Sequence, residues 1–227
     1  MARRNPSRAR AEAAQRRRRE AGDGRRKIAT PSRPRADRPT RRPQAAWPPA
    51  SGLRPPLRSV RIHNGCPRLR LDRRAVAAVI SLLDAHAAKV VGGRRSPFDS
   101  RPSACPGVPR GGLSLVFLTE TALARLHAEF LGDRSPTDVI TFAGTPSLGQ
   151  AGEICVSADA ARAFAQAHGR DFSAELTLYL VHGWLHLAGH DDRRPAAKRR
   201  MRAAEARAMA LLRATRALPR FRLAPVP

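Results

Sequence analysis

The chain has 227 residues, with 43 Lys plus Arg against 18 Asp plus Glu and a formal net charge of +25 at pH 7. Length allows one or two domains, and a basic excess of this size suits a phosphate-rich partner. No stretch offers the roughly 20 predominantly apolar residues of a bilayer span, and no apolar core of about 7 to 15 residues follows the basic start as in a secretory signal, so a cytoplasmic protein without membrane association is expected.

Residues 1–58 are dominated by Arg, Ala and Pro, with few apolar side chains larger than alanine beyond Ile28, Trp47, Leu53 and Leu57. Such a segment has nothing from which to build a core and is expected to be a disordered basic arm. Residues 1–57 hold 17 Lys plus Arg against 4 acids, a net +13 of the total +25. The arm can therefore neutralise phosphates without sequence preference and make binding salt-dependent, or it is simply a solvated tail. Its prolines weaken an amphipathic transit-peptide helix.

Beyond the arm, SVRIH reads as a strand, and Asp72 is placed to cap a helix in which Val76, Val79, Ile80 and Leu83 keep helical spacing. From Gly92 to Gly112 the chain is rich in Gly, Pro, Ser and Arg, the composition of a surface loop whose charge suits RNA. LSLVFL is a second strand. Thr119 can cap the next helix, with Leu123, Leu126 and Phe130 as its inner stripe and Gly132 as its end.

DVITF and GEICVS are two further strands, followed by a helix from Ala158 to His168 closed by Gly169. An apolar helix then covers Ser173 to Ala188, and an Arg-rich helix after Pro195 turns Met201, Ala204, Ala208, Leu211 and Leu212 inward. These elements imply an α+β fold, a mixed sheet of about four strands packed with helices, in one domain over 59–214 with a basic tail at 215–227. Cys66, Cys105 and Cys155 are widely spaced, with no C-x-x-C pair, and read as reduced bystanders.

The segment from His182 to Asp192, HGWLHLAGHDD, gathers three of the chain's seven histidines beside two carboxylates. Histidines four apart stand one turn above each other on a helix, so His182 and His186 can aim at one point. Gly189 suits the left-handed turn past a helix end, after which the chain can fold back over the same face. His190, Asp191 and Asp192 are all chemically able to be a third ligand, and three protein ligands with an open fourth position make a catalytic rather than a structural zinc site. The plainer alternative is a set of core histidines bonded to backbone carbonyls. The zinc-protease pattern H-E-x-x-H places its glutamate base where this chain has Gly183, which counts against peptide hydrolysis but leaves metal-assisted hydrolysis open.

HGWLHLAGHDD resembles the signature of the YbeY family of bacterial endoribonucleases and ribosomal-RNA maturation factors, usually H-G-x-L-H-L-x-G-Y-D-H. LSLVFLTETALARLHAEFLG, PTDVITF at Pro136 to Phe142 and GEICVS at Gly152 to Ser157 resemble that family's successive blocks in order, so the similarity runs from about Val60 to about Leu212. The resemblance implies a zincin-like metal helix and a single-strand-specific, metal-dependent endoribonuclease. Its implied role is ribosomal-RNA processing, including the small-subunit 3′ end and ribosome quality control. It also implies one Zn2+ per chain, held by His182, His186 and Asp192, with aspartate in place of the family's third histidine. His190, at the family's tyrosine position, is the alternative ligand. Ribosomal RNA within a ribosomal subunit is the implied partner, with a ribosomal protein or GTPase as a further one.

The family's Y-R-G-K-D-K-P-T pattern reads FLGDRSPT here, so Leu131 replaces an arginine suited to clamping a phosphate, and Arg134 is the nearest stand-in or an ordinary loop charge. Thr137 and Thr141 fall in the block that lines the family's cleft. Glu153 and Tyr179 would either orient a metal ligand or satisfy local hydrogen bonds. Two other functions stay open: a non-catalytic RNA-binding assembly factor with a structural metal, which Leu131 favours, and a metal hydrolase of another substrate.

Overall fold

Strand alternation and helical caps set most of the architecture of the computed structural model, which describes residues 58–92, 107–133 and 135–225. Residues 1–57 of the expected arm over 1–58, residues 93–106 of the basic loop, Cys105 and Arg134 lie outside the described residues. In chain order the elements are β1 (Val60–Asn64), β2 (Leu69–Leu71), α1 (Arg73–Ala85), α2 (Ala87–Val91), β3 (Gly112–Leu118) and α3 (Glu120–Leu131). Then follow β4 (Val139–Ala143), β5 (Gln150–Ser157), α4 (Ala158–Ala167), α5 (Phe172–Leu187), α6 (Pro195–Ala214) and β6 (Phe221–Leu223).

The main sheet has the order β1-β3-β5-β4, with β1, β3 and β5 parallel and β4 antiparallel to β5. This is the expected α+β class with a mixed four-stranded sheet. Successive side chains of a strand point to opposite faces, and the two faces are unequal. Leu113, Leu115, Phe117, Val139, Ile154 and Val156 enter the large core. Ile140 and Cys155 face the other way and form a small cluster with Leu123 of α3. Burial pushes the Cys155 thiol well above its ordinary pKa, in keeping with a packed, unreactive sulfur.

The helix starts follow their caps. Asp72 accepts from the Arg74 and Ala75 amides, Thr119 from Ala122, and Ser157 from Ala160. Gly132 closes α3 in the left-handed conformation at φ 65°. No helix among the described residues is long and apolar enough to cross a membrane.

Three expectations are corrected. Phe130 is 56% exposed and rests edge-on against Phe142 rather than lining the inner stripe, because the buried face of α3 runs through Leu123 and His127. The expected tail over 215–227 contains part of the fold: β6 pairs antiparallel with β2, and Phe221 is buried against Phe117 and Phe172. Finally, Arg58 does not belong to the arm. Its guanidinium bonds Asp84 and the carbonyls of Val108, Pro109 and Gly111, tying the entry of β1 to α1 and to the approach to β3.

Candidate metal centre

Helix α5 starts where Asp171 accepts a 2.7 Å hydrogen bond from the Ala174 amide, and it runs between the sheet, α4 and α6. Residues on every side of it are therefore buried, including Leu176, Leu180, Val181, Trp184 and Leu185. The indole of Trp184 donates to Asp84 at 3.0 Å, so the ion pair that holds Arg58 also fixes the rotation of the helix that carries His182 and His186. In this setting the rings of His182 and His186 stand at 77° to each other with centroids 4.7 Å apart, and their Nε2 atoms face each other at 3.1 Å.

The third group comes from the turn. Gly189 has φ 95°, and the His190 amide bonds the Leu185 carbonyl at 2.9 Å, which reverses the chain. Asp191 uses its carboxylate locally, accepting from the amides of Asp192 and Arg193, and is half exposed. That leaves Asp192 to point inward, with its two carboxylate oxygens 3.9 Å from the Nε2 atoms of His182 and His186. Among the described residues these three form the cluster able to hold a metal, with one ligand atom from each lying within 4.8 Å of the others.

The donor set fits zinc. Tetrahedral bonds of about 2.1 Å place ligand atoms roughly 3.4 Å apart, between the 3.1 and 3.9 Å separations seen here. Burial, with a further push from neighbouring His182, holds His186 down to about 4, while a hydrogen bond to the His190 backbone and the charges of Asp191 and Glu205 act the other way. His186 is therefore neutral at pH 7, with a nitrogen lone pair available to a cation.

Sequence reasoning missed Glu205. It is the lone acid of α6 and shares that helix's inward side with Met201 and Ala208, and its Oε1 takes a hydrogen bond from Nδ1 of His182. That contact fixes the proton on Nδ1 and turns the Nε2 lone pair toward Asp192 and His186, the carboxylate–histidine arrangement that orients metal ligands. A single carboxylate on the apolar side of an otherwise basic helix was the available signal.

The other expected site residues are scattered. His190 is not with the three: its ring engages the Val91 backbone and lines a separate cavity with Lys89, Arg200 and Arg207. Burial, together with those arginines, lowers its pKa. Glu153 lies on the far side of the sheet from α5, accepting from the Cys155 thiol at 3.6 Å, so strand alternation removes it from any role in orienting the ligands. Thr137 donates to the Val139 carbonyl, a local bond at the start of β4. Tyr179 is buried in the large core, one turn before His182.

Thr141 is buried, and its hydroxyl has no hydrogen-bond partner among the described residues. It lies where Gly183 of α5 packs against the sheet. A Cβ on Gly183 would sit 2.4 Å from Ile154 Cγ2 and 3.3 Å from the Thr141 hydroxyl. This contact explains why the protease glutamate has no counterpart, because at position 183 only a hydrogen fits between helix and sheet.

A family model described as Endoribonuclease YbeY matches residues 103–213. A Geobacter sulfurreducens protein named Endoribonuclease YbeY is 37% identical over 114 residues, which cover 47% of this chain and 76% of that protein. A Myxococcus xanthus protein of the same name is also 37% identical, over 99 residues that cover 41% of this chain but only 34% of the relative. One from Halalkalibacterium halodurans is matched over 58% of its length, so the chain spans a third to three quarters of these relatives. The solution structure of a Thermotoga maritima protein aligns with a TM-score of 0.42 at 20% identity, covering 70% of this chain and 94% of that one.

Proposed function

The chain belongs to the YbeY endoribonuclease family, and from that premise we propose that it is a metal-dependent endoribonuclease cutting single-stranded RNA in ribosomal-RNA processing. The reading extends to maturation of the small-subunit rRNA 3′ end and to ribosome quality control in the cytoplasm. The ribosomal subunit is the assembly it works on, with a ribosomal protein or GTPase as a further partner. The observation that carries it is the convergence of His182, His186 and Asp192 on one point, with Glu205 behind His182.

His182 and His186 would hold one zinc through their Nε2 atoms, and Asp192 through carboxylate oxygen. The cation, when bound, supplies Lewis acidity to a phosphoryl oxygen and lowers the pKa of water. Glu205 keeps the His182 proton on Nδ1, so that ligand is always presented in its binding tautomer. Asp192 brings a negative charge to the centre, which limits the net charge of the loaded site and suits harder cations than a third imidazole would. Buried α5 positions the two rings through the Trp184–Asp84 bond instead of leaving them to a mobile loop.

Leu131 in place of the family's arginine favours a second reading, an RNA-binding assembly factor whose metal is structural. Zinc content and cleavage of single-stranded and structured RNA, measured for the protein and for His186→Ala and Asp192→Ala, separate the two. Zinc-dependent cleavage of the single strand, lost in both variants, supports the enzyme. RNA binding with no cleavage by the zinc-loaded protein supports the assembly factor. Cleavage unaffected by either variant removes the metal centre from the reaction.

A further inference from the structure

The cavity that takes His190 is a different kind of place from the metal centre. It measures about 300 Å³ and is lined by Lys89, Val91, Gly92, His190, Arg200, Ala203 and Arg207, which puts it at the small end of ligand-binding pockets. Arg200, Ala203 and Arg207 follow one another at helical spacings of three and four, so they share one face of α6 and close the cavity from one side. The end of α2 closes it from the other.

Three side chains carry positive charge into this space, and among the described residues that line it none is a carboxylate. Arg207 is pinned by hydrogen bonds to the carbonyls of Val90 and Val91 at 3.0 and 2.9 Å. Gly92 makes room for it, since a Cβ there would meet the guanidinium at 2.5 Å. The side chains of Lys89 and Arg200 hold no ion pair among the described residues. His190 Nε2 is buried there with no hydrogen-bond partner among those residues. Like charges gathered around a recess with an unmatched polar atom repel one another until an anion enters, and arginine and lysine are the residues that receive phosphate oxygens.

The geometry points to this cavity as a seat for a backbone phosphate of the RNA strand that the metal centre acts on, held by Lys89, Arg200, Arg207 and His190. The assignment rests on the endoribonuclease reading for the identity of the strand. Proximity supports it: His190 and Asp192 are two residues apart, so their Cα atoms are separated by no more than about 7 Å. One turn thus delivers one side chain to each site. A strand seated here would be held one or a few nucleotides from the cation, which is the positioning task left open by Leu131.

The test uses the full chain loaded with zinc, a fluorescent single-stranded RNA oligonucleotide and, separately, inorganic phosphate. Lys89→Gln/Arg200→Gln removes the two cations that hold no ion pair, and Arg213→Gln/Arg220→Gln removes two exposed charges elsewhere as a control. The cavity pair is expected to weaken RNA binding about tenfold, to make the salt dependence shallower by about 0.7 in log–log slope, and to reduce severalfold the broadening that the protein causes in the 31P line of inorganic phosphate. The control pair should leave the line broadening intact and change affinity far less.

Equal effects of the two pairs on RNA, in a protein that still cuts it, overturn the cavity assignment while the enzyme reading stands. Phosphate broadening that depends on Lys89 and Arg200 in a protein that neither binds nor cuts RNA makes the cavity a free-anion site. That result overturns the assignment to a strand together with the enzyme reading.

Discussion

Removing the carboxylate behind His182 separates an oriented metal ligand from a merely adjacent one. In Glu205→Ala the His182 ring loses the acceptor of its Nδ1 proton, and the side chain, itself only 3% exposed, becomes free to adopt the other tautomer or to rotate. Loss of such an outer partner lowers metal affinity about 10- to 100-fold, equivalent to about 1.4–2.7 kcal/mol. Glu205→Gln keeps an acceptor but loses the charge, so it belongs at the lower end of that range. Zinc affinity measured by competition with a chromophoric chelator gives the answer, with circular dichroism confirming that α6 is intact. A Glu205→Ala protein that is folded and binds zinc as tightly as the parent refutes the reasoning.

Gly183→Ala should destabilise the protein. Its new methyl meets Ile154 Cγ2 at 2.4 Å, and overpacking of about 1–3 kcal/mol outweighs the roughly 1 kcal/mol that alanine gains over glycine in a helix; urea unfolding should show a net loss near 1 kcal/mol. Asp84→Ala strands both the Trp184 indole and the Arg58 guanidinium, and should cost about 2 kcal/mol in the same assay. Protein stripped of metal should lose stability as pH falls. His186 is held down to about 4 from 6.5, so the unfolded chain takes up its proton first, and the contribution present above pH 6.5 disappears towards pH 4. Unfolding at pH 7.5, 5.5 and 4.5 should show that decline, up to about 3 kcal/mol, and His186→Gln should flatten it.

The helix of His182 and His186 was legible because its signals are local. A histidine pair at four-residue spacing and a glycine turn lie within one stretch, and strand alternation likewise exposed the four main strands. What escaped depends on partners distant in sequence. Glu205 meets His182 across 23 residues, and β2 meets β6 across the length of the domain in strands of three residues each, too short to show a period.

Phe130 was misread because a 3.6-residue period places positions 127 and 130 on neighbouring sides, and the sheet selected His127, whose ring bonds the Ser135 carbonyl. His190 was an open choice in sequence because spacing alone cannot say which of two residues in a turn faces the histidine pair. The backbone bonds of that turn send Asp192 inward and His190 towards Arg207.

The central claim, three side chains converging on one cation, is tested most directly by determining the coordination of zinc in the loaded protein by X-ray absorption, alongside the Asp192→Ala variant. One zinc per chain with two imidazole nitrogens and carboxylate oxygen at about 2.0–2.2 Å, changing its oxygen shell and losing affinity in the variant, is the predicted result. Zinc bound with the same stoichiometry and an unchanged spectrum in Asp192→Ala, or no zinc taken up by the folded parent, would contradict it.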